Sequence, residues 1–139
     1  MSTNASVLVN ANYLVLDNTV NPGSYIVNRI RSLSFGALVA FYDAFFQAAT
    51  IPATVVLPSI LIQVAMVVNL STLYTVTVQF IPNGGSLETL LLQPSPNQGQ
   101  PGGAFFYMNP TSVGNVGGLS ALSLLASGNN ASCEVLVAG

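Results

Sequence analysis

The sequence predicts an all-β domain, a sandwich or a barrel. Three observations predict it. Residues Tyr74 to Phe80 alternate apolar and polar side chains almost without a break, the period-2 pattern of a half-buried strand. Further short Val- and Leu-rich runs flank that stretch, each bounded by Pro, Asn or Gly. The turn signals recur at the spacing of sandwiches and barrels, which gives about nine or ten strands. At 139 residues the chain suits one domain, 1–139, long enough to build a core without disulfide staples.

The elements follow in order. Residues 6–10 and 12–17 read as two short strands or one bulged strand. Asn18 to Ser24 contains Asn-Pro-Gly and reads as a turn. Residues 25–30 alternate again, placing Tyr25, Val27 and Arg29 on one side and Ile26, Asn28 and Ile30 on the other. Strands are expected at 53–57, 60–68 and 73–80. Pro58-Ser59 and Asn69-Leu70-Ser71 separate them. The turn Ile81-Pro82-Asn83-Gly84-Gly85 joins residues 73–80 to 87–92 as a hairpin. Residues 93–103, QPSPNQGQPGG, lack any aliphatic or aromatic side chain and read as a surface loop. Residues 104–108 form a compact aromatic strand, and 109–118 another loop. Residues 119–126 and 132–138 are strands on either side of Ser127-Gly128-Asn129-Asn130.

Residues 33–49 admit two readings. Phe35, Leu38, Val39, Tyr42, Phe45 and Phe46 fall near helical spacing, with five alanines in the same stretch, so one short helix fits. A strand, a turn near Asp43 and a second strand fit as well. On either reading the aromatics belong to the core.

Composition excludes more functions than it suggests. Only 4% of residues are charged, against about 25% in ordinary soluble domains. Without His, the sequence lacks the commonest general base and metal ligand. With both cations being arginines, there is no Lys for a Ser-Lys dyad or a phosphate loop. Catalytic, cofactor-binding and metal-binding residues are therefore expected to be absent. Asp43 and Glu88 have no spacing that brings them together as a hydrolytic pair. Two arginines cannot neutralise a row of phosphates, which excludes nucleic-acid binding by a basic surface. Cys133 is alone, so it reads as a small apolar residue of a terminal strand. The first residues lack the basic and apolar regions of a signal peptide. Residues 51–70 have the length of a membrane span, but Pro52, Pro58, Gln63 and Asn69 interrupt them, and two buried strands are the better reading. Asn4, Asn69 and Asn130 each begin an N-x-S triplet. On a strand, Arg29 and Arg31 share one face, either exposed or paired with an acid of a neighbouring subunit.

Across residues 53–108, a strand ending in Leu57-Pro58 is followed by one ending in Asn69-Leu70-Ser71. The Thr/Val-alternating strand 74–80 comes next, then a Gly turn, a Pro/Gly loop and the aromatic run Phe105-Phe106-Tyr107-Met108. This order resembles the β-sandwich modules of phage and virus structural proteins, including small jelly-roll vertex and decoration proteins. The resemblance implies a jelly-roll-like sandwich and a non-enzymatic virion component, assembled in the host cytoplasm from copies of itself and other capsid proteins. Phe105, Phe106, Tyr107, Arg29 and Arg31 are the expected interface residues. An extracellular fibre or pilus-like subunit is the alternative. Another is a receptor- or glycan-binding module of a virion spike, using the loops at 93–103 and 109–118.

Overall fold

A computed structural model describes residues 5–17, 19, 24–38, 41–55, 61–109 and 117–139. The described residues form ten strands and no helix. β1 (Ala5–Asp17) and β2 (Ser24–Leu38) pair as a two-stranded antiparallel hairpin. β3 (Phe41–Ala48), β5 (Val64–Asn69), β8 (Ala104–Met108) and β10 (Ala131–Ala138) make a first four-stranded sheet in the order β3-β10-β5-β8. β4 (Ala53–Thr54), β6 (Val76–Pro82), β7 (Glu88–Leu92) and β9 (Leu119–Ala126) make a second, in the order β4-β9-β6-β7. The fold is therefore all-β, and the two four-stranded sheets pack face to face as a sandwich.

The strand pairs are nested. β6 pairs β7, β5 pairs β8, β4 pairs β9 and β3 pairs β10, every pair antiparallel. Such nesting is what a single long ribbon of paired chain makes when it doubles back between β6 and β7. Each successive strand from β3 to β6 changes sheet, and each from β7 to β10 changes back.

Alternation fills the space between the sheets. Val67, Cys133, Val135 and Val137 point inward from the first sheet, and Val76, Val78, Leu122 and Leu124 from the second, all essentially without solvent exposure. Each such side chain contributes roughly 1.5–3 kcal/mol of transfer free energy. The Phe80 and Phe105 rings meet across the sandwich with centroids 5.0 Å apart and planes tilted by 39°. The predicted inward set of 74–80 holds, since Val76 and Val78 are completely buried and Tyr74 and Phe80 pack against the same core.

Several expectations need correction. No helix forms in 33–49: Leu38 ends β2, and β3 runs straight through Asp43. Tyr42, Ala44, Phe46 and Ala48 turn inward there while Phe41, Asp43, Phe45 and Gln47 turn outward. Those two faces suit a sheet whose inner side needs covering, because the period-2 split puts Tyr42 and Phe46 inward and Phe45 outward, whereas a helix would put Tyr42, Phe45 and Phe46 on one face. Of the two readings of residues 6–17, the one bulged strand holds, since β1 is continuous with register shifts at Ala5/Val7 and Val15/Leu16, while β2 extends well beyond the expected residue 30. β9 and β10 follow each other in sequence but lie in opposite sheets. Ser127–Asn130 is thus a corner between sheets, with Asn130 at φ 64°. The expected turn at 18–24 and the loop at 109–118 fall mostly outside the described residues, as does Pro58-Ser59. Gly117 and Gly118 are described, and their φ values of 95° and 82° are those of a turn.

One buried polar group organises the end of the sandwich. Asn69 is fully buried at the end of β5. Its side-chain amide donates toward the carbonyls of Tyr74 at 2.9 Å, Gln93 at 3.1 Å and Leu92 at 3.2 Å, while its carbonyl accepts from Ser71 N at 3.0 Å. Its backbone is bonded to Gly103 O at 2.9 Å and Gly102 N at 2.8 Å. The side chain thus ties the approach to β6 to the end of β7, and the Asn69 backbone joins the approach to β8. A Cβ on Gly103 would stand 2.8 Å from Gln93 N, and one on Gly102 2.5 Å from Gln93 O, so only glycine lets these backbones meet. Ser95, also buried, brings its hydroxyl within 2.5 Å of the carbonyls of both Asn97 and Gln100, which folds the 93–103 loop on itself.

Candidate functional site

The two outer faces of the sandwich differ in chemistry. On the second sheet, Thr77, Gln79, Thr89 and Ser123 face out together with Leu91, Leu125 and Ile81, so among the described residues that face mixes polar and aliphatic side chains without aromatic ones; Ser123 Oγ donates to Gln79 Oε1 at 3.3 Å. The outer face of the first sheet is apolar and aromatic. Register aligns its side chains in rows across the strands: Phe41, Ala138, Val64 and Met108 in one, and Asp43, Leu136, Met66 and Phe106 in the next. A third row holds Phe45, Glu134, Val68 and Ala104. Opposed residues in such rows stand ~4.5–5.5 Å apart and touch.

Phe45 is 75% exposed, Phe106 62% and Phe41 48%. Aromatic side chains carry the largest apolar area of any residues, so leaving three of them in water is costly unless something covers them. At the far corner of the face Gln47 Nε2 donates to Ser132 Oγ at 3.0 Å, which begins a polar rim.

The β1–β2 hairpin rests against one end of this face. Val9 packs on Val64 and Ala138. A cleft of about 260 Å³ opens between Leu8 to Asn10 and the row of Met66, Phe106 and Leu136. Away from that contact the hairpin leaves Leu14, Val15 and Ile30 exposed. Two-stranded hairpins of this kind are marginal on their own in water.

The residues singled out from sequence separate. Phe105 is only 6% exposed and belongs to the core, and Tyr107 packs against the same core. Both face the core because β8 sends alternate residues inward, opposite Val67 and Ala65. Phe106 reaches the surface. Arg29 and Arg31 are exposed on β2, four and two residues along the hairpin from the pair of Val9 with Leu33. The sequence reading missed Phe41 and Phe45, because it assigned the aromatics of 33–49 to a core on either reading. The signal was there in Phe41-Tyr42-Asp43-Ala44-Phe45, where an acid sits between two aromatics at period 2.

Chemistry on the rest of the molecule is sparse. Asp43 lies on the first sheet and Glu88 on the second. Among the described residues, no group of three or more His, Cys, Asp or Glu side chains could hold a metal ion. Burial pushes the Cys133 thiol up to about 11. Asn69 of the Asn69-Leu70-Ser71 triplet is inaccessible to any modifying enzyme in the folded state. Among the described residues no helix is long and apolar enough to cross a membrane.

Comparison with protein-family models, curated proteins and solved structures found no match for this chain.

Proposed function

We propose that the chain is a non-enzymatic structural subunit of a virion, a capsid, vertex or decoration protein that works by assembling with copies of itself. The observation that carries this reading is the outer face of the first sheet, where Phe41, Phe45 and Phe106 stand exposed beside Met66, Val68 and Leu136. Soluble monomers rarely leave contiguous apolar surface of this kind open. Aromatic residues are enriched in interface centres. With 4% of its residues charged, the chain has few groups to keep an uncovered surface in solution.

The nested pairing of β3 to β10 supports the jelly-roll reading, since eight strands in two facing antiparallel sheets are the jelly-roll architecture. Edge strands also favour assembly. β8 and β7 each leave one side of their backbone unpaired in their sheets, and such edges invite neighbouring chains.

Size-exclusion chromatography with light scattering tests the proposal. The expected result is a discrete multimer at micromolar concentration, together with labelling of native particles by an antibody raised to the chain. A monodisperse monomer at high concentration that is absent from particles refutes it.

A further inference from the structure

The two cations and two of the four acids of the chain are arranged as matched pairs. Arg29 and Arg31 are two residues apart on β2 and both are exposed. On an extended strand their side chains leave the same face, about 7 Å apart. Among the described residues neither makes an ion pair; Arg31 Nη1 donates only to the carbonyl of Ile30, at 3.4 Å. On the outer face of the first sheet, Asp43 lies opposite Leu136 and Phe45 opposite Glu134. Asp43 and Glu134 are therefore diagonal neighbours on adjacent strands, roughly 7–8 Å apart. No cation of the same chain reaches either of them among the described residues. Each site holds two like charges whose repulsion goes uncompensated, and the spacing of one pair fits the other.

Register fixes which side of the hairpin carries the arginines. Arg31 lies opposite Ala11 and Arg29 opposite Tyr13, and the pairing runs regularly from Val7 to Val15. Ala11, and with it Arg31 and Arg29, shares a face with Val9, the residue that packs on Val64 and Ala138. The arginines thus extend, by about 7–13 Å, the side of the hairpin already adapted to an apolar sheet. Among the described residues, Leu8, Val9 and Asn10 are the hairpin positions that meet the first sheet of the same chain.

We infer that the β1–β2 hairpin of one copy lies across the outer face of the first sheet of a second copy, with Arg29 and Arg31 paired to Asp43 and Glu134 there. The occupant of the aromatic face is thus a second copy of this chain. Phe41 and Phe45, which flank Asp43 on β3, are covered by the incoming arm. Burial strengthens the ion pairs, because aromatic side chains around them exclude water. This inference rests on the self-assembly reading and adds the contact that performs it.

Charge reversal tests it. One variant carries Arg29→Glu and Arg31→Glu, the other Asp43→Lys and Glu134→Lys, and light scattering gives the mass of each alone and mixed. Each variant alone should need about tenfold more protein to assemble than the wild type, and an equimolar mixture should regain the wild-type mass. Regain on mixing requires contact between different copies, because each arm then finds an opposite charge only on the other variant. If circular dichroism shows a reversed chain unfolded, the neutral pair Arg29→Gln, Arg31→Gln replaces it and should weaken assembly in the same direction. Wild-type multimers that the reversals leave unchanged, or a mixture that stays dissociated, overturn the arm contact while self-assembly stands. A wild type that is monomeric removes the self-assembly reading itself.

Discussion

The side-chain amide of Asn69 donates 2.9 Å to the carbonyl of Tyr74, linking the end of β5 to the start of β6 across the mouth of the sandwich. The same amide faces the carbonyls of Leu92 and Gln93, so two protons serve three acceptors in a fully buried site. Replacing Asn69 by Leu leaves those carbonyls and Ser71 N without their partner. Each buried group left so costs roughly 1–3 kcal/mol, and the variant should lose about 3 kcal/mol or more by urea denaturation. Asn69→Asp should be worse, since it sets a carboxylate against the same oxygens. A loss below about 1 kcal/mol in either variant would mean that water replaces the amide.

Phe105 and Phe106 are neighbours in sequence with opposite fates. Phe105→Ala opens a hole beside Phe80 and should cost about 3–5 kcal/mol of stability. Phe106→Ala should leave monomer stability within about 0.5 kcal/mol and weaken assembly instead. Thermal melts and light scattering on both variants separate the two effects. Equal melting temperatures would show that the β8 alternation is assigned to the wrong faces.

Cys133 supplies a pH dependence with a definite sign. Burial raises its thiol from 9.0 to about 11, so between those values the unfolded chain releases a proton that the folded chain keeps. The unfolded state then binds fewer protons, and stability falls as pH rises. The contribution is complete below pH 9 and is lost through pH 11, a difference on the order of 2–3 kcal/mol. Cys133→Ala should flatten this slope, and the native thiol should react with a disulfide reagent only as fast as the chain opens. Rapid labelling at pH 8 under native conditions contradicts the burial.

Gly103 gives a steric test. A methyl group there meets Gln93 N at 2.8 Å and Leu92 Cα at 2.9 Å, both backbone atoms that cannot swing aside. Gly103→Ala should cost at least about 1–3 kcal/mol, as overpacking does. Gly99, at φ 81° with open space around it, should lose less on the same change, through backbone conformation alone.

Much of the sandwich was legible in the sequence, and its unread parts have physical causes. The stretch 74–80 declares its faces because Thr and Gln alternate with Val and Phe, and solvent contacts one side only. Residues 41–48 do not, since alanine is at home in a helix and aromatics can face inward at either period. The length of β2 was hidden by Ser32, Ser34 and Gly36, which read as the end of a strand when taken singly. The switch of β10 to the sheet opposite β9 depends on long-range packing, and no residue of 127–130 encodes it locally. The exposed aromatic face was read least well. Phe41 and Phe45 look like core residues by type, and only register shows that their backs are to the core. Arg29 and Arg31 were legible as a same-face pair, whereas the facing of Asp43 and Glu134 required the pairing of β3 with β10.

β10 is the last of the ten strands in sequence, yet it occupies the interior of the first sheet between β3 and β5. During synthesis, then, β3 and β5 emerge long before the strand that joins them, and must wait about 9–10 Å apart or unformed. The ribosome has to release residue 138 before that half of the molecule can close. Until then the nascent chain shows two bare strand flanks to its surroundings, the condition under which chaperones bind and aggregates start. A chain cut before residue 131 should stay fully protease-sensitive instead of merely fraying at one margin, so the release of β10 sets the moment at which the fold becomes resistant.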